Sequence, residues 1–201
     1  QLPFTAGAYT SGRLGERGQR GGCFGDGGGM VFTDVEVAER AKAFRDHGRL
    51  GTGEIEDFGI NGRLDNVQAA ILSIKLRHYD EAISTRRRLA ALYCDALMDL
   101  EEMTLPTHPD SDPDRFDIFQ NLEIRAERRD DLRDFLLGRG IGTISQWGGR
   151  MLHQLNGLGL GSRVSFAEDL SASFMLLPLH HLLTDGDVEY VSEQVRKFYR
   201  G

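Results

Sequence analysis

The stretch Phe58-Gly59-Ile60-Asn61-Gly62-Arg63-Leu64-Asp65-Asn66-Val67-Gln68-Ala69-Ala70 places two polar, anion-seeking side chains, Asn61 and Arg63, immediately ahead of a helix start. The first turn of a helix carries unpaired N–H groups and a positive partial charge, so this arrangement suits a phosphate. It suits a plainer reading as well, in which Asn61 tolerates a turn conformation and Asp65 caps the helix. From Leu64 to Leu100 there is neither Gly nor Pro. Leu72, Leu76, Tyr79 and Ile83 fall at helical spacing, then Leu89, Leu92, Ala96 and Leu100, which predicts one long helix, or two in line, over 64–106. The run Arg86-Arg87-Arg88 inside it reads as a solvated face rather than an anion site.

Toward the N-terminus, residues 1–29 are rich in Gly and Arg without periodicity and read as irregular. Gly29 to Phe32 resembles a short strand, and Thr33-Asp34-Val35-Glu36 has the spacing of a capping box that opens a helix ending at Gly48. Residues 49–60 have loop chemistry. Toward the C-terminus, Pro, Asp and Ser crowd residues 107–114 and mark a domain edge. Beyond it the pattern predicts a strand over 116–124, a helix over 128–137, a strand over 141–147, a Gly-rich loop over 148–163, a helix over 165–173 and a buried strand over 174–177. The last helix is the plainest: Thr184 and Asp187 have capping-box spacing, and Val188, Val191, Val195 and Phe198 share one face.

A chain of 201 residues, 40% hydrophobic and 27% charged, can bury a real core. The net charge of -7 argues against an extended nucleic-acid surface. No apolar run has the length of a membrane span, and Cys23 and Cys94 lack the spacing of a zinc site or a disulfide framework, so a reducing cytoplasm is expected and no metal is assigned. The only lysines are Lys42, Lys75 and Lys197, so amine chemistry has few candidates. The chain begins with Gln, which suggests that something upstream is missing. Two further features could serve a ligand. Gly25 to Gly29 could let backbone approach a ligand closely or could be a flexible turn. His153 lies in a loop with Trp147 and Arg150, a mixture able to line a polar pocket, although a lone loop His is commonly without function.

Taken in order, several of these segments resemble the DegT/DnrJ family of sugar aminotransferases. They are Gly25 to Gly28 before Thr33-Asp34, Arg45 to Gly48, Gly59 to Ala70, and Arg87 to Tyr93; downstream come FQNLEIR (119–125), RDDL (129–132), GIGTISQWGG (140–149) with His153, and LPLH (177–180). The resemblance covers about residues 22–200. It implies an α/β protein of fold type I, like aspartate aminotransferase, with pyridoxal 5'-phosphate as cofactor. It also implies a homodimer that moves an amino group from an amino acid, usually glutamate, to a nucleotide-linked keto sugar. On this pattern residues 1–21 match nothing, 22–63 are a remnant of the cofactor-binding large domain, 64–106 link, and 114–201 form an α+β small domain. Asn61 would reach the cofactor phosphate across the dimer. Arg63, His153 and Trp147 would lie at the sugar-nucleotide site.

One departure is large. The family's Schiff-base lysine lies a few residues before the G-D-G-G turn, and here that slot falls near Gln19, within GERGQRGG. An amide is not nucleophilic and a guanidinium stays protonated, so neither Gln19 nor Arg20 can replace an amine. The expectation is therefore a fragment of a sugar aminotransferase, inactive by itself, with no catalytic residue of its own. The alternative is a non-catalytic binding or dimerisation module derived from the family.

Overall fold

The computed structural model describes residues 29–49, 51–162 and 164–201, so the expectations for residues 1–21, the slot near Gln19 and the Gly25 to Gly28 turn lie outside the described residues. The chain divides into two compact units, one ending at Tyr79 and one running from Asp80 to Gly201.

In the first unit, α1 spans Val35–Phe44 and α2 spans Asn66–Leu76. The cap of α1 is Asp34, one residue later than the Thr33 reading: its carboxylate accepts from the N–H groups of Glu36 and Val37 at 2.8 and 3.3 Å. The strand expected over 29–32 does not form; those residues pair with no neighbour among the described residues. Neither helix buries a residue, and Val35, Phe58 and Val67 are among the apolar side chains left open to solvent. At the end of α2 the backbone tightens, with Arg77 N–H donating to Ile74 O and His78 N–H to Lys75 O. These shorter-range bonds end the helix, so the 64–106 segment is two helices, the second being α3 over Tyr79–Leu97.

The second unit packs helices on a three-stranded antiparallel sheet in the order β1-β2-β3, with β1 Met103–Thr104, β2 Leu122–Ala126 and β3 Phe174–Leu177. Leu122, Ile124 and Ala126 alternate inward along β2, facing a core built from Leu89, Tyr93 and Leu97 of α3, Leu132 and Leu136 of α4 (Arg129–Leu137), and Val188, Val191 and Val195 of α6 (Asp185–Arg200). Each fully buried Leu or Val of this set contributes about 1.5–3 kcal/mol relative to exposure. β2 starts later than expected because the Asp117 carboxylate accepts the Phe119 N–H at 2.7 Å and Phe119 turns into the left-handed region at φ 48°. The strand expected over 141–147 shrinks to a single bridge, Ile144 to Leu176, since Gly148 and Gly149 take φ of 66° and 74° and the chain coils into a short 3-10 turn at Gln146–Gly149. α5 occupies Ser165–Ser173.

The arginine run needs the clearest correction. Arg88 is half-exposed and pairs with Asp185, and Arg87 pairs with Asp110 with its side chain 11% exposed, but Arg86 is buried, at 5%. Only one member of the run behaves as a solvated face.

The α6 cap has the expected form. Thr184 N–H and Oγ1–H donate to Asp187 Oδ2 at 2.8 and 2.7 Å, and Asp187 N–H donates back to Thr184 Oγ1 at 3.2 Å. The hydrogen bonds from the Thr184 side chain and then its backbone hold the Asp187 carboxyl below its ordinary range. Thr184→Ala should lower stability by about 0.5–2 kcal/mol, read as a fall in the denaturant midpoint. Because the folded-state carboxyl is the more acidic, its contribution is complete above the unfolded-state value of about 3.9 and disappears as the pH falls below it. The variant should therefore lose less stability than the parent between neutral pH and acid.

Candidate functional site

Asn61 and Arg63 sit on a turn zipped to the end of α1 by backbone. His47 N–H donates to Ile60 O, Ile60 N–H to Phe44 O at 2.8 Å, and Gly62 N–H to Arg45 O at 2.7 Å, with Asp46 and Asn61 forming an antiparallel bridge. Two glycines make that approach possible. A Cβ on Gly59 would lie 2.2 Å from Gly48 N and 2.4 Å from Phe44 O, and one on Gly48, whose φ is 78°, would lie 1.8 Å from Asp57 O. Gly48 and Gly59 belong to separate motifs of the sequence, and the structure shows that they interlock.

On this turn Arg63 Nε donates to Asn61 Oδ1 at 3.4 Å and Arg63 Nη1 lies 3.3 Å from Asp46 Oδ1. The guanidinium remains about half-exposed, so it can exchange these partners for a ligand oxygen. Asp65 stands at the N-cap of α2 but its side chain makes no cap hydrogen bond, and the first turn of α2 holds no acidic residue. Of the two readings left open by the spacing, capping by Asp65 is thus not what the turn does. The amide groups at the start of α2 keep no side-chain acceptor from that residue, which suits an anion.

In the second unit, His153 lies in a 3-10 turn over Leu152–Gln154 and forms one wall of an open pocket of about 430 Å³ with Asn156, Leu160, Ser162 and Glu168. Its Nε2 is 3.3 Å from Glu168 Oε1, and the two side chains are 12% and 26% exposed. The contact orients the imidazole at the pocket edge. Trp147 lies in the 3-10 turn before it, and the orientation of its ring is outside the described part. Glu168 was not singled out by the sequence reading, since it stands fifteen residues downstream on another helix. Arg129 was missed as well. Its Nη1 donates to Ser171 O at 3.1 Å and Phe174 O at 2.9 Å, tying α4 to the α5–β3 junction beneath the pocket loop, and no local pattern distinguishes it from its solvated neighbours. Among the described residues no helix is long and apolar enough to cross a membrane.

The sequence model of the DegT/DnrJ/EryC1/StrS aminotransferase family matches residues 20–196. A dTDP-3-amino-3,4,6-trideoxy-alpha-D-glucose transaminase of Streptomyces venezuelae is 43% identical over 131 residues, 65% of this chain and 34% of its own. A pleiotropic regulatory protein of Geobacillus stearothermophilus is 34% identical over 182 residues, 89% of this chain and 49% of its own. The crystal structure of S. venezuelae DesV in complex with a ketimine intermediate superposes with a TM-score of 0.84 at 33% identity, covering 91% of this chain and 49% of that one. The chain thus spans between a third and a half of the length of these relatives, and it shares their mixed α/β architecture over that part. With the match extending over both units, this chain belongs to the DegT/DnrJ/EryC1/StrS aminotransferase family.

Proposed function

We propose that the chain is the C-terminal portion of an enzyme that transfers an amino group from an amino acid, glutamate in the first instance, to a nucleotide-linked keto sugar. It would act as a cytoplasmic homodimer. The observation that carries this reading is the Asn61–Arg63 turn, whose backbone is locked while its guanidinium stays half-exposed ahead of an α2 start with no Asp65 side-chain cap. Asn61 would hold a cofactor phosphate from the other subunit, Arg63 would bind the sugar nucleotide, and His153, oriented by Glu168, would line the sugar pocket with Trp147. The relatives support the substrate class, since the S. venezuelae transaminase is named for a dTDP-linked amino sugar.

The family's cofactor is pyridoxal or pyridoxamine phosphate, and a covalent link to it requires a lysine amine. Lys42 on α1 is largely exposed and lies 3.5 Å from Glu39, Lys75 is in the last turn of α2, and Lys197 is in the last turn of α6. In sequence the nearest of them, Lys42, is 23 residues from the Gln19 slot, too far along the chain to be the lysine of that motif. The residues present fit the phosphate of that group at Asn61 but do not fit its covalent attachment, and this supports an inactive chain. The same observation favours the second reading, a non-catalytic binding or dimerisation module.

Arg63 gives the test. In a protein extended at its N-terminus to the length of its relatives and supplied with lysine in the slot near Gln19, Arg63→Ala should weaken use of the sugar nucleotide by about 1.5–3 kcal/mol in kcat/KM, the loss of one charged hydrogen bond. Use of glutamate should change far less. Equal losses for both substrates would remove Arg63 from the sugar-nucleotide site.

A further inference from the structure

Arg128 and Arg133, beside Arg129 in sequence and on α4, hold surface carboxylates with their side chains largely open to solvent, whereas that of Arg129 is 10% exposed. Both protons of its Nη1 have backbone acceptors, Ser171 O at 3.1 Å and Phe174 O at 2.9 Å, and Ser145 Oγ lies at the limit of a hydrogen bond, 3.5 Å away. Asp130 balances the charge from one side, its Oδ1 2.9 Å from Nε but out of line for a hydrogen bond. The two carbonyls belong to the last turn and the C-cap of α5, where a helix leaves acceptors unpaired and its dipole favours a cation. Two paths lead from this guanidinium to the pocket. One runs along α5: Ser171 Oγ donates to Glu168 O at 2.8 Å, and the Glu168 carboxylate stands 3.3 Å from His153 Nε2. The other passes through Gly149, the last residue of the turn that carries Trp147. Gly149 has a φ of 74°, and a Cβ placed on it would lie 3.4 Å from Arg129 Nη1 and 3.7 Å from Ser171 O, so the turn rests on the guanidinium itself.

We propose that Arg129 is the positioning residue of the candidate sugar pocket, setting His153 through α5 and the Trp147 turn through Gly149. The proposal rests on the reading that this pocket takes the sugar. One side chain thereby fixes two walls that are distant in sequence, the turn at 146–149 and the helix at 165–173. Lysine is a poor replacement. Its ammonium is compact and strongly hydrated, with no flat face to support the Gly149 turn and no planar fork to hold the α5 carbonyls in place.

The test uses the 201-residue chain with dTDP-glucose as the probe, both followed by NMR. In Arg129→Met the His153 ring resonances and the amide resonances of Trp147 and Gly149 should shift, while the methyl signals of Val188 and Val191 in α6 keep their positions. Binding of dTDP-glucose, read at the His153 ring, should weaken about ten-fold, because the ligand must then order side chains that the wild-type pocket holds ready. Arg129→Lys should show the same displaced signals, and Arg133→Met, on the exposed face of α4, should show none. Glu168→Gln lies on one path only, so it should move His153 and spare the Trp147 turn. Unmoved His153 and Trp147 signals in Arg129→Met overturn the proposal. Wild-type behaviour in Arg129→Lys overturns it too, as does loss of the fold in both Arg129 variants, which would make this a residue of stability alone. A wild-type chain whose His153 signals ignore dTDP-glucose would overturn the sugar reading on which the proposal rests. The two failures are told apart because the Arg129→Met shifts are read without the probe.

Discussion

Pyridoxal phosphate followed by borohydride should leave no stoichiometric adduct within residues 10–30 of the 201-residue chain. Reduction traps an imine only where an amine has formed one, and that segment holds arginine and glutamine but no lysine. Scattered labelling of the helical lysines is expected. Lys42 in particular is largely exposed and, among the described residues, is held by a surface pair to Glu39, so it will form transient imines like any accessible amine. Absorbance titration with peptide mapping distinguishes the two outcomes. One equivalent of reduced cofactor on a single peptide from residues 10–30 would show that the chain attaches the cofactor there without a lysine.

Mixed dimers offer the second all-or-none result. In the extended, lysine-bearing protein, Asn61→Ala subunits and subunits lacking the lysine should each be inactive alone. Mixed, they should recover activity in one of the two sites of each heterodimer, because one site then pairs an intact lysine with an intact Asn61 from the neighbour. That recovery requires Asn61 to act across the interface. Heterodimers that assemble and stay inactive would mean that Asn61 serves its own subunit.

How much of this could be read from the chain depends on the range of the forces involved. The cap of α6 was legible because Thr184 and Asp187 are three residues apart and need nothing else to find each other. β3 was legible as an apolar run closed by Pro178. β1 was not, since two residues become a strand only by pairing with Ala126 and Arg125. Arg86 was misjudged for the same reason: within α3 it is one of three identical side chains, and which of them is buried is decided by packing outside the helix. The turn that carries Asn61 and Arg63 was legible from its place before α2, whereas Glu168 meets His153 only through the folding of the intervening loop. The break between α2 and α3 lies in between, foreseen as a possibility but located only by the shorter backbone bonds at Arg77 and His78.

The crossing of Gly48 and Gly59 carries a consequence for how such a site is inherited. Neither residue at the crossing carries a side chain. What is transmitted there is a pair of vacancies, each no larger than a methyl group, through which two strands of main chain come close enough to exchange hydrogen bonds. A catalogue of reactive side chains would pass over both positions. Yet an alanine at either one would drive the turn away from α1 and carry Asn61 with it, so the address of the polar residue is written in hydrogen atoms rather than in functional groups.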